Sequence, residues 1–167
     1  MSTYVQNPGH HQNVRTPGRA HAKASYFGIA ASILMLLGSL LPWVEASLEG
    51  QSETIKGTEG DGVWTLVAAI VAIVLFAVGV ATRKAMISAS ATVPALLAVA
   101  LGAWNIADPE RLARVSIEDK GIGSEELDAV LKQFDFAAMA GLWVVVVAAV
   151  SALVCGVLAA RAKESGS

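Results

Sequence analysis

The side chains able to do chemistry lie in the ends and loops of this chain. Its three histidines, His10, His11 and His21, fall in the first 25 residues. His10-His11 is adjacent in a segment without periodicity, and a flexible pair lacking a third ligand makes a poor metal site. A second concentration runs from Glu45 to Gly62, where Glu45, Glu49, Glu53, Glu59 and Asp61 outnumber Lys56. Carboxylates of this density suit a divalent cation. Calcium loops, however, space them as D-x-D-x-D-G, and that spacing is absent. The expectation is an acidic, solvated loop. Cys155 is the only cysteine, so no internal disulfide or multi-cysteine metal centre is available. Ser32, Ser39, Ser88, Ser90, Thr92 and Ser151 can bond to their own helix or to a neighbour. Hydrolysis within a membrane needs a Ser/His, Asp/Asp or metal constellation, and with every histidine assigned to the tail none is expected. The chain reads as a non-enzyme with no catalytic residue, metal or cofactor.

The elements carrying these residues follow from composition. The chain has 167 residues, 54% hydrophobic and only 16% charged, with mean hydropathy +0.57. Soluble domains carry about a quarter charged residues. Apolar runs cover residues 26–44, 63–82, 85–105 and 136–160, and none holds Asp, Glu, Lys, Arg or His. A helix needs roughly 20 such residues to cross a hydrocarbon core of about 30 Å. Helix is also the form lipid demands, because an open strand leaves backbone donors and acceptors unpaired. Val144–Val147 is therefore read as helix despite its β propensity. The expected fold class is all-α: an integral membrane four-helix bundle over 26–160. A disordered tail covers 1–25 and a C-terminal tail 161–167. Carriers and voltage sensors place ionisable groups at membrane depth, and these spans hold none.

The four tryptophans mark one side. Trp43 closes the first run, Trp64 opens the second, Trp104 closes the third and Trp143 lies near the start of the fourth. Successive spans cross in opposite directions, so all four indoles are expected as interfacial anchors on one face. Basic residues take the other ends: Arg15, Arg19 and Lys23, the tight Arg83-Lys84 hairpin, then Arg161 and Lys163. That side holds seven basic residues and one acid, Glu164, against five basic and thirteen acidic residues in the opposite loops. Positive residues favour the cytoplasm, so both termini are expected inside a plasma membrane crossed several times. Val44 and Ala46 would suit signal-peptide cleavage before Ser47. The long polar leader and Pro42-Trp43 favour a retained anchor.

Two outer loops remain. In the first, Val44–Glu49 and Ser52–Lys56 could form a short hairpin around Gly50-Gln51, although the alternation is poor. In the second, Asp108-Pro109-Glu110 is a helix start. After Ser124-Glu125-Glu126, Leu127, Val130, Leu131 and Phe134 share one face of an amphipathic helix. That face is either a docking surface for a partner or a lid over the chain's own helices. Pro94 is expected to kink the third span, with Ser90 placed to repair the freed carbonyl. Small residues recur four apart, as in Gly28/Ser32, Ala98/Gly102 and Ala148/Ala152/Gly156, which lets helices approach closely. Gly62-Val-Trp64 and Gly141-Leu-Trp143 open spans two and four alike. Helix, Trp, outer loop, Gly-x-Trp, helix is thus a candidate duplicated unit.

Leu41-Pro42-Trp43-Val44, the acidic loop, Gly60-Asp61-Gly62-Val63-Trp64-Thr65-Leu66 and Gly141-Leu142-Trp143 together resemble small four-span membrane proteins common in actinobacteria, over residues 26–160. The layout is also similar to claudin-like tetraspans. It departs from them in lacking a first-loop cysteine pair and in carrying Gly-Leu-Trp at the fourth span. The first resemblance implies a non-enzymatic, envelope-associated membrane protein. The expected function is a structural or accessory subunit, with a small oligomeric transporter or channel as the alternative. Expected partners are the lipid bilayer and other membrane proteins or further copies of the chain, with no nucleic acid.

Overall fold

A computed structural model describes residues 17–48, 51–111, 114 and 131–164. Among these residues four helices are long and apolar enough to cross a membrane. Helix α1 spans Pro17–Leu40, α2 Gly62–Thr82, α3 Ala85–Ser90, α4 Thr92–Ala107 and α5 Ala140–Glu164. Helices α3 and α4 together form the third span. Each of α1, α2, α4 and α5 packs on two neighbours, in the cyclic order α1-α2-α4-α5.

Among the described residues three strands join them, so the fold is mostly helical but not all-α. Strand β1 covers Pro42–Leu48, β2 Gln51–Lys56 and β3 Asp135–Ala138. Both pairings are antiparallel, in the order β2-β1-β3. The first loop is thus the hairpin its sequence weakly suggested, and β3 from the second loop stitches onto its free side.

Helix boundaries move accordingly. Span one was expected to end at Val44; it ends at Leu40, because a residue preceding proline is driven out of the helical region. Pro42 then opens the strand, a position where its missing N–H costs little. At the other end the helix reaches back to Pro17, so residues 17–25 are helical rather than part of a tail. Span four begins at Ala140 rather than Phe136, since residues 135–138 are spent on the sheet. The third span is interrupted at Ala91. Pro94 has no N–H to offer the Ser90 carbonyl one turn earlier. Ser90 Oγ does not repair that carbonyl; it donates to Ile87 O at 2.7 Å. Thr92 Oγ1 donates to Ala89 O at 2.8 Å on the other side of the break.

The core is built of small residues in two layers. Near the sheet, Met35, Trp43, Val44, Leu142 and Val145 are fully buried among alanines. Toward the termini, Phe76 fills the space between Ala31, Ala72, Ala91, Ala95 and Ala152. Gly28 makes room for that ring: a Cβ there would lie 2.5 Å from Phe76 Cζ. Ser32 and Ser39 donate to carbonyls one turn back, and Ser39 Oγ also lies 2.9 Å from Thr65 Oγ1 on α2. Hydroxyls thereby find their partners inside the bundle.

Candidate functional site

The sheet end gathers most of the chain's polar architecture. The register of β1 against β2 passes from Pro42↔Lys56 to Val44↔Ile55, which leaves Trp43 as an extra residue in a β-bulge. A bulge re-aims side chains, and here it turns two consecutive residues, Trp43 and Val44, into the core. Trp43 Nε1 donates to Gly38 O at 3.0 Å. The Trp43 carbonyl accepts from the Met139 N–H at 2.7 Å, tying the end of β3 to the bulge. The indole of Trp43 is therefore a fully buried plug, not an interfacial anchor. The sequence reading set it within the end of the first span, at the membrane interface, whereas the helix ends at Leu40, three residues earlier, and the bulge faces it inward. Trp64, Trp104 and Trp143 are exposed at the sheet ends of their helices.

Trp104 has a second role. The Arg111 guanidinium carbon lies 4.5 Å from the centroid of its ring, close enough for a cation–π contact. Arg111 Nη2 also approaches Asp61 Oδ2 to 3.2 Å. The pair lacks hydrogen-bond alignment, since Asp61 Oδ2 has no hydrogen-bonded partner among the described residues. The contact is therefore coulombic. It joins the residue before α2 to the segment after α4, where the Arg111 N–H donates to Asp108 Oδ1 at 3.3 Å. Nearby in sequence, Asn105 is fully buried with its Nδ2 on Leu101 O at 2.9 Å, and its Oδ1 has no partner among the described residues.

Of the candidate partner face, Leu127 and Val130 lie outside the described residues. Leu131 is 2% exposed and packs on Ile55 and Phe136 of the sheet. Phe134 stands with its ring 6.3 Å from that of Phe136. The described part of that face thus covers the chain's own sheet. Among the described residues, strand β2 pairs with no further strand beyond β1: residues 51–54 are exposed and Ile55 alone turns toward the core.

At the opposite end, Arg83 and Lys84 form the hairpin tip. Arg83 adopts φ 55°, the left-handed conformation that closes helices, with its N–H on Val80 O and that of Lys84 on Gly79 O. Arg83, Lys84 and Arg161 are exposed; Lys163 belongs to α5, and its side chain lies outside the described residues.

Behind the tip sits a cluster that the sequence reading missed. His21 is buried in α1, 8% exposed. Its Nε2 lies 3.3 Å from Ser88 Oγ on α3 and 3.4 Å from Ser25 Oγ on α1. Ser25 Oγ donates to Ser88 Oγ at 2.9 Å. Gly79 of α2 closes the site, where a Cβ would collide with Ser88 Oγ. The residues resemble a hydrolytic pair, but both hydroxyls are fully buried and bonded to each other. A reacting serine must instead be free to meet both its base and a substrate. The arrangement is an interhelical clasp. A signal for it was present: His21, Ser25, Gly28, Ser32, Met35 and Ser39 follow one face at three- and four-residue steps, and all six are buried. His10 and His11 lie outside the described residues. Among the described residues no group of three or more His, Cys, Asp or Glu could hold a metal ion.

The chain matches no protein-family model, no curated protein and no solved structure.

Proposed function

We propose that this chain is a non-enzymatic, structural or accessory protein of the plasma membrane, with both termini cytoplasmic and the sheet on the outer face, where it assembles with other membrane or envelope proteins. The observation carrying this reading is the strand order β2-β1-β3. It makes one platform from two loops, with Ser47 of β1 opposite Asp135 of β3, 88 residues later, and among the described residues leaves the polar edge of β2 unpaired. Open edges are sites where another chain adds a strand. A tightly packed alanine core also suits a scaffold more than a pump.

Two measurements test it. Purification in mild detergent from native membranes is expected to recover a stoichiometric partner, and Glu53→Lys with Thr54→Lys on β2 is expected to abolish recovery without loss of the folded chain. A partner retained by that variant would remove the platform from the reading. Cysteines placed at Gln51 and at Arg83 report topology. Impermeant reagent should reach the first alone in intact cells.

One observation favours the alternative, a small oligomeric transporter or channel: the break at Ala91 beside Pro94, with a polar cluster at one end of the same span. Ion or solute flux through the pure protein in liposomes, with no partner recovered, would select that reading.

A further inference from the structure

We propose that the seam between α1 and α5 holds one hydrocarbon tail of a bilayer lipid, drawn from the leaflet on the sheet side. A groove of about 420 Å³ runs along the outside of that helix pair. Its floor is made by Ala31 of α1 and Ala148 of α5, both buried, and its walls by Leu34, Trp143 and Val147, all exposed. The residue types make the depression. The two helices touch near their sheet ends, where a Cβ on Gly38 would lie 2.9 Å from Val145 Cγ2 and 3.0 Å from Val144 Cγ1. Deeper in, the seam is lined with alanine while the flanking positions carry large side chains, so the surface dips between two ridges. A space of this size suits a small ligand.

Depth and chemistry select the occupant. Both helices are long and apolar enough to cross a membrane, so the groove faces hydrocarbon. From Trp143 to Ser151 is eight residues, about 12 Å along a helix. One leaflet contributes about 15 Å of the hydrocarbon core. The groove thus starts beside an indole at the sheet-side interface and stops near the midplane, which is the path of one tail. At the inner end Ser151 Oγ already donates its proton to Val147 O at 2.8 Å, so nothing there calls for a headgroup or a polar solute. A second copy fits less well. A helix is about 10 Å across, and a 12 Å length of it fills roughly 900 Å³, about twice the groove. Stable interfaces also engage about 20–30 residues on each side, and this seam offers a handful. Lipid tails are as apolar as leucine, so the gain is not hydrophobic. It is the dispersion contact that a tail makes on three sides between ridges and on one side against a smooth helix face. The inference depends on the spans lying in a bilayer, whatever the sheet binds.

The full chain in nanodiscs of dioleoylphosphatidylcholine, with a trace of the same lipid carrying a diazirine in one tail, tests this. Photoadducts at Leu34, Trp143 and Val147 are expected to exceed those at Val67 and Ile70 of α2 by roughly fivefold, the preference that about 1 kcal/mol of extra contact gives. Val67 and Ile70 are exposed and lie about as far from the sheet-side end of α2 as Val144 and Val147 do from that of α5. Equal yields would show ordinary surrounding lipid and overturn the proposal. Ser151 is exposed, so Ser151→Phe fills the inner end without entering the core. That variant is expected to bring adducts at Leu34 and Val147 down to the α2 level, and retained enrichment overturns the proposal as well. A second copy has its own signature: Val147→Cys in a Cys155→Ala chain would cross-link between chains while the groove gains no adduct, and that result assigns the seam to the protein itself and overturns the proposal. Should Ser151→Phe not fold, the comparison of α1 and α5 with α2 in the unaltered chain still decides.

Discussion

Gly57 lies flat against the indole of Trp43: a Cβ on that glycine would sit 2.5 Å from Trp43 Cε2 and 2.6 Å from Nε1. The contact joins the turn after β2 to the bulge of β1 and to the end of α1, because Ser39 O would also be 2.7 Å away. The sheet is thereby seated on the bundle through a single aromatic plug.

Gly57→Val should unseat that plug. Overpacking a filled site costs about 1–3 kcal/mol, so the variant is expected to unfold at lower denaturant in micelles. Its Trp43 emission should shift to the red. Wild-type midpoint and emission would show that the indole is not confined as described.

Trp43→Phe tests packing and hydrogen bonding together. It trims the indole to a phenyl ring and removes the Nε1–H bond to Gly38 O, which is left with the Leu41 N–H alone. A loss of about 1–3 kcal/mol is expected, together with the most blue-shifted component of tryptophan emission. Retention of that component would place the buried indole elsewhere.

The Asp61–Arg111 contact is partly solvated, with side chains 15% and 30% exposed. A double-mutant cycle of Asp61→Asn and Arg111→Lys is expected to give a coupling below about 1 kcal/mol. Arg111→Lys alone should lose less than Arg111→Ala, because lysine keeps a cation over Trp104. A coupling of several kcal/mol would mean that the pair is buried more deeply than side-chain exposures of 15% and 30% show.

Ser39 and Thr65 bond across α1 and α2. Interhelical bonds of this kind average about 0.6 kcal/mol in membranes and reach about 1.7 kcal/mol. Ser39→Ala and Thr65→Ala are expected to be non-additive by that amount. Additivity would show that each hydroxyl is satisfied by its own backbone partner, Met35 O or Gly62 O.

Pro94→Ala restores the donor missing at the break. Slower hydrogen exchange at residues 91–93 is expected, as α3 and α4 merge into one helix. Unchanged exchange would attribute the break to the packing of Ala91 rather than to proline.

The four spans were legible in the residues alone because lipid leaves so little choice. Long runs without charge must be helical, and the Thr82-Arg83-Lys84 connection admits only a hairpin. The edges of those spans were less legible, because apolar composition does not distinguish a helix end from a buried strand. Leu41–Val44 and Phe136–Ala138 read as membrane residues, and the backbone partners that make them strands come from segments remote in sequence. Trp43 shows the consequence. Its type suits an interface, but a one-residue bulge decides its direction, and a bulge is a property of pairing. His21 failed for the opposite reason. Polar neighbours hid a helical face that continues the buried Ser25-Gly28-Ser32 stripe, and only its meeting with Ser88, 67 residues away, reveals the clasp. What the chain determines by itself is where hydrocarbon can surround it, a local matter of composition. Which polar groups are buried together is non-local and was decided by the tertiary packing of α1, α3 and the sheet.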